Sequence, residues 1–265
     1  MVYVEADRAP EKRVRLAASL ANRFNAALTG MSALAIQPPL VIDGRVIDEM
    51  TGVDVELLKA KLADTGTWFR GLVHNERVGW RSVLDYPSDA LVREARYADL
   101  VVIGNNKRRG SAYRTLNTGE AVLKLGRPAL VVPDGVSTLR GERVVIGWKD
   151  TRESRRAVRD AIPLLQHASQ VIIVEACGPG DQGAALGRLE DIADYLTQHR
   201  IKAGSKVLLE QEGSGAEQLL RVAKEEEADL LVTGAYGHSR LGELIFGGMT
   251  RKLLTSSPIC CLMSH

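Results

Sequence analysis

The chain contains itself twice. "YADLVVIGNNKRR" at 97–109 resembles "EADLLVTGAYGHSR" at 227–240, and "RPALVVP" at 127–133 resembles "SPICCLM" at 257–263. Asp99 and Asp229, Gly104 and Gly234, and Pro128 and Pro258 all stand 130 residues apart, so one register runs through the whole stretch. At the front, Ala17 matches Ala161, an offset of 144, so the first copy carries about fourteen extra residues in between. The Pro- and Gly-bearing stretch 35–52 is the natural place for them, as an irregular excursion. The polar, turn-rich stretch "PDGVSTLRGER" at 133–143 reads as a linker. Two similar halves, 1–135 and 141–265, are each of ordinary domain size.

Each half alternates strands with helices. In the second, "RVVIGW" is a short apolar strand, followed by a helix over 151–168 with Val158, Ala161, Ile162 and Leu165 on one face. "QVIIVEA" is the next strand. A helix over 187–199 presents Leu189, Ile192, Ala193 and Leu196. "KVLLEQ" and "DLLVTG" are strands around the helix "GAEQLLRVAKEEE". A last helix is expected near 248–256, and "ICCLM" closes the chain as a strand. Continuous apolar strands between amphipathic helices predict an α/β fold with a parallel sheet covered on both faces.

The charge balance excludes some partners. With 35 basic and 33 acidic residues, the net charge of +2 gives no electrostatic case for nucleic acid or an anionic membrane. No apolar run approaches the length of a membrane span, and the opening "MVYVEADRAPEKR" lacks a signal-peptide core. Cys177, Cys260 and Cys261 have no metal or redox spacing, which suits core thiols in a reducing, cytoplasmic setting. On a strand, adjacent Cys260 and Cys261 point to opposite faces.

Glycines cluster at two places in "GAYGHSRLGELIFGGMT", 234–250. Gly234 ends a strand, and ligands of open α/β sheets bind at carboxyl ends of strands. Gly247 and Gly248 open a helix, whose start offers unpaired N–H groups and the positive end of a dipole. Glycine lets the backbone approach a ligand, and Thr250 adds a hydroxyl. The spacing suits a phosphate chain lying between the two clusters; turns alone would need the same glycines. It is neither the Walker loop nor the dinucleotide fingerprint.

Gly234-x2-Gly237-x9-Gly247, with the "ADLLV" strand before it and the "P-x-x-x-L" strand after it, resembles the nucleotide motif of the universal stress protein family. The resemblance covers the chain as two tandem domains. It implies adenine-nucleotide-hydrolase-like three-layer α/β/α domains, each with a five-stranded mainly parallel sheet, often paired through the final strand. Many members bind ATP. The resemblance implies an adenine nucleotide, ATP with or without Mg2+, held among Trp148, Lys149, Ala176, Thr233, Gly234, Tyr236, Gly237, Gly247, Gly248, Met249 and Thr250. Two positions depart from the pattern. Gly248 stands where the family has Ser or Thr, and Lys149 where nucleotide-binding members carry an Asp facing the adenosine. Lys149 cannot accept from ribose hydroxyls, but its charge can meet phosphate. Trp148 is placed to pack on a base or to enter the core.

In the first half, Lys107 and Asn117 replace the second and third glycines. That half reads as a degenerate, structural copy, unless Lys107, Arg108 and Arg109 bind phosphate by side chain. Pairing of the strands at 129–132 and 259–263 within the chain would cover two apolar edges, and a homodimer is the other way to cover them. None of the five histidines forms a metal-binding pair. The expectation is a regulatory binding module with at most slow ATP hydrolysis. An enzyme using His238 or Asp150 as base, and a scaffold with a decayed site, are the alternatives.

Overall fold

The computed structural model describes residues 1–8, 10–37, 41–42, 45–46, 52–74, 77–105, 111–209, 215–237 and 248–265. The first half contributes β1 (Val2–Tyr3), α1 (Glu11–Arg23), β2 (Leu28–Ala33), β3 (Val41–Ile42), β4 (Arg45–Val46), α2 (Gly52–Leu72), β5 (Val78–Val83), α3 (Pro87–Glu94), β6 (Val101–Gly104), α4 (Thr118–Lys124) and β7 (Ala129–Val132). The second contributes β8 (Arg143–Trp148), α5 (Arg152–Leu165), β9 (Gln170–Cys177), α6 (Gln182–Gln198), β10 (Ala203–Leu209), α7 (Gly215–Glu225), β11 (Leu230–Gly234), α8 (Gly248–Ser256) and β12 (Cys260–Ser264).

Ten strands form one sheet in the order β10-β9-β8-β11-β12-β7-β6-β1-β2-β5. Pairing is parallel within each half. The halves join where β12 meets β7 antiparallel, through Cys261↔Val131, Leu262↔Leu130 and Met263↔Ala129. Each terminal strand thus covers the other's edge, which would otherwise be open to association. Leu130 and Leu262 are fully buried at this joint, each contributing about 2 kcal/mol by removal from water. The two α/β halves therefore share a continuous three-layer structure.

Alternation along each strand builds two cores. Val144, Ile146, Leu230, Val232, Cys260 and Leu262 face α1, α2, α5 and α6. Val145, Leu231, Cys261 and Met263 face α3, α4, α7 and α8. Burial pushes both the Cys260 and Cys261 thiols up to about 12, so they act as small apolar groups.

Several element boundaries differ from the sequence reading. The helix expected over 187–199 starts at Gln182, because buried Ala185 adds one turn to the apolar face. The helix expected over 151–168 stops at Leu165, two residues after Pro163, with Leu164 buried and Ile162 half-buried. β10 begins at Ala203, earlier than the Lys206 expected, since its pairing with β9 extends back to Val171. The last strand is shifted by one residue, to Cys260–Ser264. The stretch 35–52 is not wholly irregular: β3 and β4 pair antiparallel within it.

Candidate functional site

β8, β9 and β11 end together. Gly147 pairs with Val174 on one side and with Thr233 on the other, and Ala176 pairs with Leu208. A cavity of about 360 Å³ opens beyond these ends, within the usual size of small-ligand sites, roughly 300–1,000 Å³. Val174, Ala176, Leu208 and Leu219 give it an apolar floor. The start of α5 reaches it through Thr151 and Ser154, and the start of α8 through Gly248, Met249 and Thr250.

Trp148, Lys149, Ala176, Thr233, Gly234, Tyr236, Gly237, Gly248, Met249 and Thr250 all border this cavity. Gly247 lies outside the described residues, as do His238 and the Lys107–Arg109 run. Trp148 is no base platform. It is 6 % exposed, and its side chain belongs to the core beneath α5 and α6 with Val144 and Ile146, as strand alternation dictates.

The glycines divide by what surrounds them. A Cβ on Gly234 would lie 2.6 Å from the Ser154 nitrogen and 2.8 Å from the Glu153 carbonyl carbon. Gly234 is therefore required by the close approach of the α5 start, before any ligand is considered. A Cβ on Gly237 would come within 3.0 Å of Glu153 Oε2 and 3.2 Å of Thr151 Oγ1. Gly237 does not use the left-handed region; the residue that does is Tyr236, at φ 59°. A Cβ on Gly248 would meet no atom within 4 Å, so this glycine faces open space.

Thr250 is committed to holding this turn. Its hydroxyl oxygen accepts from the Tyr236 N–H at 3.2 Å, tying the α8 start to the turn after β11. This offsets part of the cost of the left-handed Tyr236. The Tyr236 ring is 6.4 Å from that of His265, edge to face, and burial pushes its phenol up to about 12.

Charge at the site has three sources. Two helix starts bring their positive ends to the cavity; α5 is capped by Thr151, whose oxygen accepts from Ser154 N–H at 3.3 Å. Lys149 is exposed at the rim, and no carboxylate lies within ion-pair distance of it among the described residues. Glu153 opposes them from behind Gly237. Burial acts to raise its carboxyl, but hydrogen bonds from Arg152, its own N–H and Thr151 together hold it below the usual range. Arg152 also neutralises it as an ion pair. Asp150 is turned outward and pairs with Arg155, away from the role of a base.

Several lining residues were not marked by the sequence reading, Thr151, Ser154, Gln218 and Leu219 among them. Thr151 had a readable signal, a Thr directly before an amphipathic helix that follows a strand. Gln218 and Leu219 had none, because only the packing of α7 brings them to the strand ends.

The comparisons with known proteins come to the same fold. Residues 141–265 match the family model of the universal stress protein family. No curated protein sequence is detectably similar to the chain. Among solved structures, a universal stress protein from Archaeoglobus fulgidus DSM 4304 superposes with a TM-score of 0.74 at 11 % identity, over 99 % of this chain and 97 % of that one. A protein of unknown function from Pseudomonas aeruginosa PAO1 gives 0.55 at 10 % identity, over 92 % and 84 %. A putative universal stress protein from Pseudomonas aeruginosa UCBPP-PA14 gives 0.51 at 11 %, over 92 % and 84 %. Among the described residues, no helix is long and apolar enough to cross a membrane. Residues 141–265 thus match the universal stress protein family, within a two-domain α/β fold that spans the chain and is shared with a solved universal stress protein.

Proposed function

We propose that residues 141–265 form a binding domain for one adenine nucleotide, ATP above all, and that residues 1–135 are a structural copy that supports it. The observation that carries this reading is the convergence of two helix starts and Lys149 on a cavity with an apolar floor. Phosphate oxygens suit the N–H groups of the α5 and α8 starts and the charge of Lys149. A base suits the floor beside Ala176 and Leu208, where main-chain groups at the strand ends can meet its edge. Mg2+ arrives with the phosphates.

The role is binding and regulation in the cytoplasm rather than turnover. No Asp, Glu or His is among the described residues that line the cavity, and the one phenol there is held neutral by burial. A general base must lie within hydrogen-bond reach of the proton it takes. Hydrolysis is therefore slow at most. Calorimetry with ATP tests the reading: one site per chain is expected. Two equivalent sites per chain, or none, would refute it, and mass spectrometry of ligands released from freshly purified protein identifies the nucleotide carried.

A further inference from the structure

One side chain in the wall of the cavity at the ends of β8, β9 and β11 is only half satisfied. α7 turns Ala216, Gln218, Leu219, Val222 and Ala223 inward. Four of the five are apolar and belong to the core on this face of the sheet. Gln218 is the exception, and it is 7 % exposed, although glutamine seldom lies so deep. It stands in the first turn of α7, where side chains lean toward the helix amino end. Its Nε2 there donates to the Leu209 carbonyl, at the end of β10, at 3.3 Å. Only the NH2 end of the amide can make that bond, so the contact fixes which way round the amide lies. The Oε1 end is left buried with no hydrogen-bond partner.

Hydroxyls of the same wall already hold protein groups. Thr250 accepts from the Tyr236 N–H, Thr151 caps α5, and the Thr233 hydroxyl donates to the Gly234 carbonyl at 3.1 Å. Among the described lining residues, Trp148 and Gln218 carry a buried polar atom without a partner. The Trp148 atom is a donor, and its ring belongs to the core on the other face of the sheet. Gln218 stands beside the apolar floor. Leu208, next to its Leu209 tether, pairs with Ala176, and both line the cavity together with Leu219. The last side-chain bond of a glutamine turns over a broad well, so Oε1 can swing to a donor that comes to rest on this floor.

We infer that Gln218 selects the base: its Oε1 accepts from the exocyclic amino group of adenine, and the site turns away purines with an oxo group in that place. This rests on the nucleotide reading above and adds the residue that tells one purine from another. An amino group brings a donor to Oε1, whereas an oxo group sets acceptor against acceptor. The amide does not turn over to meet the oxo group, because its NH2 end is held by the Leu209 carbonyl. A purine with hydrogen in place of the amino group brings no donor and leaves Oε1 unpaired. Sites that hydrogen-bond a ligand group discriminate strongly against analogues without it, since their own buried polar group then has no partner.

Calorimetry on the full chain with ATP, inosine triphosphate and purine riboside triphosphate is the test. The wild type should bind ATP about tenfold or more tightly than either of the other two. Gln218→Met keeps the reach of the side chain and removes the acceptor, so it should bind ATP and purine riboside triphosphate alike. The wild-type comparison stands whether or not that variant folds. Equal affinity of the wild type for ATP and purine riboside triphosphate would overturn the role of Gln218 and leave the nucleotide site in place. So would a folded Gln218→Met protein that still prefers ATP to the same degree, since Gln218 would then only brace the Leu209 carbonyl. Failure of the wild type to bind any of the three would overturn the selection and the nucleotide reading together.

Discussion

The carboxyl ends of the two half-sheets differ more than their shared topology suggests. In the second half the helix start of α5 packs against Gly234, and a cavity remains beyond it. In the first half the guanidinium of Arg13 lies against the matching Gly104, with Nη1 1.9 Å from where a Cβ would stand. Arg13 is 7 % exposed and pairs with Glu5. At the offset of 144, Arg13 matches Ala157 and Glu5 matches Lys149. An internal ion pair thus occupies the strand ends of one half, where the other half leaves room and a cation at the rim. The strand-end glycine is kept in both, but for different neighbours: helix backbone in one case, a side chain in the other. A shared glycine is therefore evidence of close packing before it is evidence of a ligand.

The largest expected effect separates those two neighbours. Gly234→Val forces the backbone of α5 to move and should cost about 3 kcal/mol of stability, read by urea unfolding. Gly104→Val displaces the end of a side chain and should cost less. Equal losses would break the comparison, since they would mean that the Glu5–Arg13 pair is as immovable as a helix start.

Next in size is the effect on the ligand. Gly237→Val should lower ATP affinity at least tenfold, about 1.4 kcal/mol, with folding intact, because its side chain projects between Thr151, Glu153 and the cavity. A change in the first half at the counterpart of Gly247, Asn117→Val, should leave affinity unchanged. It is not silent for stability, however: Asn117 caps α4 by accepting from the Glu120 N–H at 3.2 Å, and losing that cap should cost about 1 kcal/mol. Unaltered affinity in Gly237→Val, measured by calorimetry, would reduce the loop to a turn.

Helix starts sharpen the comparison further. Thr151→Ala removes the α5 cap and should cost about 1 kcal/mol. Pro10, at the corresponding start of α1, makes no side-chain cap, so Pro10→Ala should change stability far less in the same denaturation assay. The smallest effect is at the rim. Lys149→Ala should weaken ATP by about threefold, within the range of exposed charge pairs, and the difference should shrink as salt is raised. A loss that is independent of salt would mean Lys149 acts by contact and not by charge.

Much of this was legible because it is periodic. The offset of 130 residues carried the strand β6 onto β11 and β7 onto β12, and the alternation of Cys260 and Cys261 placed them in opposite cores. The same alternation sends Trp148 to the side of Ile146, so its burial in that core was available in the pattern. The residues around the cavity from α7 were not legible, since Gln218 and Leu219 carry no local signal. Nor was the role of Arg13. Its place on the buried face of α1 follows from Val14, Ala17 and Ala21, but what it meets, Gly104, is far away along the chain.

The sequence by itself determined the repeat, the order of strands and helices, and the positions of the glycines, because hydrophobic periodicity and turn chemistry act between near neighbours. Tertiary structure alone decided which glycine is held by packing and which faces open space. It decided that Thr250 ties down the turn, that Thr151 turns a helix start toward the cavity, and that an arginine fills the matching place in the first half. Those outcomes depend on approaches of a few ångströms between elements joined only through the sheet, and no local pattern encodes such a distance.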